Sequence, residues 1–187
     1  MSVARPDPAS SAVVVVDVQD KLAAAMPADA MAELTRAATI LLEACAALGV
    51  RAIATEQYKK GLGATITPIA AKLGELAVTP IEKLCFSVAD SPDFERALAA
   101  TNASTIVVLG MEAHVCVFQS VRDLVAQGRR VLVPIDGVAS RRADHRAAGL
   151  ELCKAAGATL TTAETLAFDW LRVAGTEPFK RLSRVIR

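Results

Sequence analysis

The chain of 187 residues carries 21 Lys+Arg against 20 Asp+Glu, is 53% hydrophobic and only 4% aromatic. One domain spanning residues 1–187 is expected, with residues 1–11 as a leader and residues 176–187 as a tail, because a chain of this size buries about two thirds of its unfolded surface without disulfide or metal staples. A net charge of +1 without a dense basic block excludes the electrostatic footprint of a nucleic-acid or anionic-membrane binder.

The locally basic tail (Lys180, Arg181, Arg184, Arg187) reads as solvated. About a fifth of the residues are Ala, so much of the hydrophobicity is small and suits closely packed helices. The strongest apolar run, Ala12 to Val16, is too short to cross a bilayer and ends at Asp17. No charged start precedes a long apolar run and a small-residue cleavage site, so a cytoplasmic, reducing compartment is expected. Cys45, Cys85, Cys116 and Cys153 form no CxxC pair, which leaves neither a zinc knuckle nor a thioredoxin-like motif.

Ala12 to Val16 is β-branched and not alternating, the pattern of a parallel strand buried on both faces. From Ala28 to Leu48, Leu34, Ala38, Leu41, Cys45 and Leu48 recur at helical spacing and stop before Gly49. Val50 to Ala54 reads as a second strand, Thr55 to Gly63 as an irregular loop, Thr67 to Leu73 as helical and Val78 to Lys83 as a third strand. Ser91, Pro92 and Asp93 open a helix to Ala100 as cap, first-turn proline and first-turn acid. Thr105 to Leu109 is another buried strand, followed by a helix from Glu112 to Gln127 closed by Gly128. Val131 to Ile135 is the fifth strand, and Arg142 to Ala156 is a helix ending at Gly157. Thr159 to Thr161 is a short strand. Glu164 to Val173 is the last long helix, with Thr161 and Glu164 as its capping box.

Strands alternating with helices imply right-handed crossovers and a mostly parallel, Rossmann-like sheet, an α/β domain of three layers, α/β/α. Ligands of such folds lie beyond the carboxyl ends of the strands. Three chemically capable side chains fall there. Asp17 ends the first strand, as a turn former or as a carboxylate held in a cleft. Lys83 ends the third; alone it reads as a solvated lysine. Cys116 lies in the first turns of the helix after the Thr105 strand, where unpaired donors and the helix dipole lower a thiol pKa and make a nucleophile; the alternative is a small buried hydrophobe. Cys45 and Cys153, in mid-helix, read as core.

The strings Val-Val-Asp-Val-Gln around Asp17, Glu-Lys-x-Cys-Phe-Ser around Lys83, Gly110-Met-Glu-Ala-His-Val-Cys-Val117, and Asp136-Gly-Val-Ala-Ser-Arg141 with Asp144-His145 resemble the isochorismatase-like cysteine hydrolases in order and spacing, from Ser11 to Trp170. Thr55-Glu-Gln-Tyr with Lys60-Gly-Leu-Gly63 is most similar to the isochorismatase domain-containing protein subgroup. The resemblance implies a triad of Asp17, Lys83 and Cys116. It also implies an oxyanion hole from the backbone amides of Glu112 and Cys116, and a cis peptide bond joining Met111 to Glu112. In those roles Cys116 attacks an amide-type carbonyl, Asp17 takes and returns the proton, and Lys83 orients the carboxylate.

Relatives that hydrolyse nicotinamide carry an Asp-x-His metal cluster where this chain has Thr55-Glu-Gln-Tyr-Lys-Lys. With two histidines in all, His114 and His145, no metal and no cofactor are expected. Gly61-x-Gly63 matches neither a dinucleotide fingerprint nor a phosphate loop. Candidate pocket residues for a small-molecule substrate are Leu22 as floor, Gln57 as a hydrogen-bonding amide, Tyr58 as a wall, and His114 with Val115 beside the nucleophile. His114 reads equally as a cap of helix-end groups, His145 as structural, and the Gln57–Gly63 segment equally as a flexible surface loop. Arg141 and Lys59 are the cations that cleavage of a dicarboxylate vinyl ether would need. A binding or scaffold protein on the same fold, and a thiol redox sensor using Cys116 and Cys85, are the rival readings. Leu166, Phe168, Trp170 and Leu171 on the last helix, with the resemblance, point to a homo-oligomer, dimer or tetramer.

Overall fold

The computed structural model describes residues 4–186; Arg187 of the basic tail lies outside them. Seven strands form one sheet, β1 (Ser11–Val16), β2 (Arg51–Gln57), β3 (Ile81–Lys83), β4 (Thr105–Met111), β5 (Arg130–Pro134), β6 (Val138–Ala139) and β7 (Thr159–Thr161). Their order is β3-β2-β1-β4-β5-β7, with the short β6 on the end of β4, and every pairing is parallel. The central pair explains the two apolar runs: all of β1 and β4 is buried. Alternate residues of β1 serve opposite faces. Val13 and Val15 pack with α2 (Ala28–Leu48), α4 (Thr67–Glu75), α8 (Ala163–Leu171) and α9 (Glu177–Ile186) through Leu34, Ile69, Trp170 and Leu182. Ala12, Val14 and Val16 pack with α5 (Pro92–Thr101), α6 (Phe118–Ala126) and α7 (Ala143–Ala155) through Phe94, Leu124 and Cys153. The expected three layers are present. Cys45 and Cys153 are core residues, one on each face.

Several boundaries are where side-chain chemistry puts them. Gly49 caps α2 in the left-handed conformation, and Ser91 caps α5 by accepting from the Phe94 amide at 3.4 Å. α8 is capped by Thr162, which accepts from the Thr165 amide at 3.1 Å, so the Thr161/Glu164 box is displaced by one residue. β2 runs on to Gln57, and the segment beyond it forms the short helix α3 (Lys59–Leu62) instead of an irregular loop. Gln19, just before the short helix α1 (Asp20–Ala23), ties it down: its amide donates to the carbonyls of Gln57 and Gly63 at 3.0 and 2.7 Å. β3 is only its last three predicted residues.

The tail is the largest departure. It folds as α9, buries Leu182 completely and sets Arg181 against the carboxylate of Glu43 on α2. Its few apolar residues fall on one helical face among many charges, which composition alone hides. The last predicted helix, α8, also turns most of its apolar surface inward: Leu166 and Trp170 are in the core, leaving Phe168 exposed.

Candidate active site

β1, β2, β3 and β4 end side by side, and their carboxyl ends carry the residues of interest. β1 stops at Asp17, which adopts the left-handed backbone region at φ 53. Asp is one of the few side chains that tolerates this region. The neighbouring strand comes close there: Gly110 of β4 has φ 128, and a Cβ on it would lie 2.1 Å from the Val16 carbonyl oxygen. Only glycine fits that approach. The Met111–Glu112 peptide bond that follows is cis.

The Asp17 side chain is fully buried, as is that of Lys83. Lys83 Nζ donates to Asp17 Oδ2 at 2.7 Å and to Gln57 Oε1 at 2.8 Å, and its remaining reach covers the carbonyls of Cys85 and Phe86, each at 3.1 Å. Burying an ammonium is costly without such partners. The solvated reading of Lys83 is therefore wrong, and the reason is β3–β2 pairing, which sets Lys83 opposite Gln57. Asp17 Oδ1 accepts from the hydroxyl of Thr55 at 2.7 Å, while the Asp17 amide donates to the Thr55 carbonyl at 3.2 Å.

Cys116 reaches the same place from β4. The segment from Glu112 does not begin as a regular α-helix: Ala113–Val117 is a π-helical turn, and α6 starts at Phe118. π turns of this kind recur at functional sites because they re-aim one side chain within a helix. α7 presses on the turn through Gly149, whose added Cβ would lie 2.6 Å from the Ala113 carbonyl carbon. Burial pushes the Cys116 thiol up to about 12; the charge of Asp17 acts in the same direction, against Lys83. The expected lowering at a helix start does not hold: Cys116 is 6% exposed, and desolvation is the largest influence on its thiol. Asp17, Lys83 and Cys116 thus converge, with a protonated thiol beside a buried carboxylate.

The pocket candidates divide. Gln57 is not free for a substrate, since its Oε1 holds Lys83 and its Nε2 donates to the Leu84 carbonyl at 2.7 Å. Tyr58 is half exposed, with its ring over Gly61. Leu22 and Val115 are partly buried, each against a different core. His114 meets Ser140 Oγ through Nδ1 at 3.1 Å and stacks at a tilt on His145, ring centroids 4.6 Å apart. Burial lowers its pKa, with Glu112 opposing. The two cations are engaged: Arg141 Nε bonds Glu112 at 3.1 Å, and Lys59 bonds the buried Glu56 at 2.8 Å. Thr55, Gln19 and Ser140 are members of the site's networks that sequence reasoning did not single out. Gln19 stands two residues after Asp17 in the quoted string, and Thr55 directly before Glu56; neither advertises a cross-strand bond. Ser140 also accepts from the Ala113 amide at 3.1 Å, pinning the start of the π turn. Among the described residues no three His, Cys, Asp or Glu side chains are grouped to hold a metal ion.

The profile of the isochorismatase domain matches residues 11–165. The chain belongs to the isochorismatase family. Within that family it is close to the isochorismatase domain-containing proteins: the 2A protein of Mus musculus is 28% identical over 187 residues, 100% of this chain and 87% of its own length. The solved MAR1 ribonuclease of Caenorhabditis elegans superposes with a TM-score of 0.89 at 33% identity, covering 98% of this chain and 92% of that one. YcaC of Escherichia coli, described as an octameric hydrolase of unknown specificity, gives 0.90 at 20% identity over 100% of this chain and 91% of its own. The first two relatives tie this isochorismatase-family hydrolase fold to sequence; YcaC adds likeness of fold alone.

Proposed function

We propose that this protein is a cofactor-independent cysteine hydrolase of a small amide or related C–N substrate, working through a thioester. The observation that carries the reading is the buried Asp17–Lys83 ion pair beside the protonated thiol of Cys116. Asp17 takes the thiol proton as sulfur attacks the carbonyl carbon, and the π electrons of the carbonyl move to its oxygen. The amides of Glu112 and Cys116 receive that oxyanion. Collapse breaks the C–N bond, and the leaving amine takes the proton from Asp17. Water then adds to the thioester, giving up a proton to Asp17, and the carboxylic acid leaves as that proton returns to sulfur. Lys83 stays protonated and holds Asp17 in place. Leu22, Tyr58, His114 and Val115 line the substrate's side of the cleft.

A thiol with so high a pKa supports base-assisted attack in place of a standing thiolate. The small exposure of Cys116 favours a small substrate over a polymer. Arg141 and Lys59, already paired with Glu112 and Glu56, weigh against a dicarboxylate vinyl ether. Four free thiols fit a reducing cytoplasm, and no helix among the described residues is long and apolar enough to cross a membrane. Exposed Leu84, Phe86 and Phe168 support a homo-oligomer, a dimer or tetramer. Sedimentation as a monomer at micromolar concentration would contradict that part.

The test of the activity is release of ammonia or amine from a panel of small amides, with acyl adducts sought on Cys116 by peptide mapping. Turnover that disappears in Cys116→Ala is expected. Turnover that survives in that variant, or a panel giving neither turnover nor adduct, contradicts the reading and favours a binding role.

A further inference from the structure

Asp17 is held at both oxygens, and only one of its two partners belongs to the proposed triad. Lys83 bonds Oδ2; the hydroxyl of Thr55 bonds Oδ1, also at 2.7 Å. A contact on one carboxylate oxygen leaves rotation about the Cβ–Cγ bond open. A second contact on the other oxygen closes it. Lys83 is moreover shared, since its ammonium also serves Gln57 and two loop carbonyls.

Thr55 is well built for such a clamp. It is 1% exposed, lies opposite Val16 in the β1–β2 register, and is fixed again by the Asp17 amide on its carbonyl. Its β-branch restricts the side chain to few rotamers. The groups facing Asp17 are then Thr55 from β2, Lys83 from β3 and Cys116 from the turn after β4, with the Glu112 charge acting on the thiol. With two donors fixing its plane, the carboxylate keeps further acceptor sites, and its charge acts on the Cys116 thiol.

We infer that Thr55 is a positioning residue, whose hydroxyl fixes the plane of the Asp17 carboxylate before it takes the proton of Cys116. The inference rests on the reading of Asp17 as the base for Cys116. Thr55 makes and breaks no covalent bond in this role.

The test follows alkylation of Cys116 by iodoacetamide at neutral pH, resolved by peptide mapping, in the wild type, Thr55→Val, Thr55→Ala, Thr55→Ser and Asp17→Asn. Thr55→Val keeps the shape and removes the hydroxyl. Its Cys116 rate at neutral pH is expected to fall about tenfold to a hundredfold, the scale of one hydrogen bond to a charged group. Thr55→Ser restores the rate, and Thr55→Ala, which leaves room for a water, falls between. Unchanged labelling of Cys45 and Cys153 reports an intact core; if Thr55→Val fails this check, the Ala and Ser variants decide. A wild-type rate in every folded variant lacking the hydroxyl, with Asp17→Asn still slow, overturns the role of Thr55 and leaves the base intact. An unchanged rate in Asp17→Asn overturns the base and the role of Thr55 with it.

Discussion

Asp17 and Lys83 form an ion pair at 2.7 Å in which neither side chain is exposed to solvent. They lie 66 residues apart in the chain and meet because β1 and β3 flank β2 in one parallel sheet. Removing one partner strands a charge in the interior. Lys83→Met is therefore expected to cost about 3–5 kcal/mol of stability by urea unfolding, well above a surface ion pair. A loss below about 1 kcal/mol would mean that the pair is not buried in solution.

The buried thiols give stability a pH dependence with a definite sign. Burial pushes Cys45, Cys116 and Cys153 each up to about 12, whereas a thiol in the unfolded chain ionises near about 8.5. The folded state keeps its protons after the unfolded state has lost them. Stability is thus unaffected below about pH 8.5 and falls as pH rises from there towards 12, by about 1.4 kcal/mol per unit per thiol. Urea unfolding across that window measures the slope. It becomes shallower in a variant with both Cys45 and Cys153 changed to Ala, and an identical slope would contradict the assignment.

Gly149 couples α7 to the turn that carries Cys116. Because an added Cβ would lie 2.6–2.7 Å from the backbone of Ala113 and His114, Gly149→Ala is expected to displace that turn. A stability loss of about 1–3 kcal/mol is predicted by thermal or urea unfolding, together with slower alkylation of Cys116. An unaltered Cys116 rate in the folded variant would show that the turn yields elsewhere.

The tail prediction separates a docked helix from a solvated one. Leu182 is completely buried in the core shared with α2, so Leu182→Ala should cost about 2–5 kcal/mol in urea unfolding. A surface leucine would cost almost nothing.

The layers were legible because β1 and β4 are buried on both faces and write unbroken apolar runs, while Gly49 and Ser91 mark helix ends by local chemistry. The convergence of Asp17, Lys83 and Cys116 was legible in part from their places after strands, and more from the motif strings. What was not legible depends on contacts across the fold. The two-residue β6 exists only as an addition to β4, and the π turn depends on Ser140 and Gly149 holding Ala113. Thr55 looks like any strand-end threonine until β2 is set beside β1. The thiol of Cys116 was expected to be acidic from its helix position, but its burial, which no local pattern records, reverses the direction.

The central claim, that Asp17 activates an otherwise protonated Cys116, is tested most directly by limiting iodoacetamide at neutral pH with peptide-resolved mass spectrometry. Cys116 is predicted to alkylate well before Cys45 and Cys153, although burial raises all three thiols alike. In Asp17→Asn its rate should drop by at least about a hundredfold, the low end for general acid–base catalysis. Slow, equal labelling of the buried cysteines, unchanged in Asp17→Asn, would contradict the account.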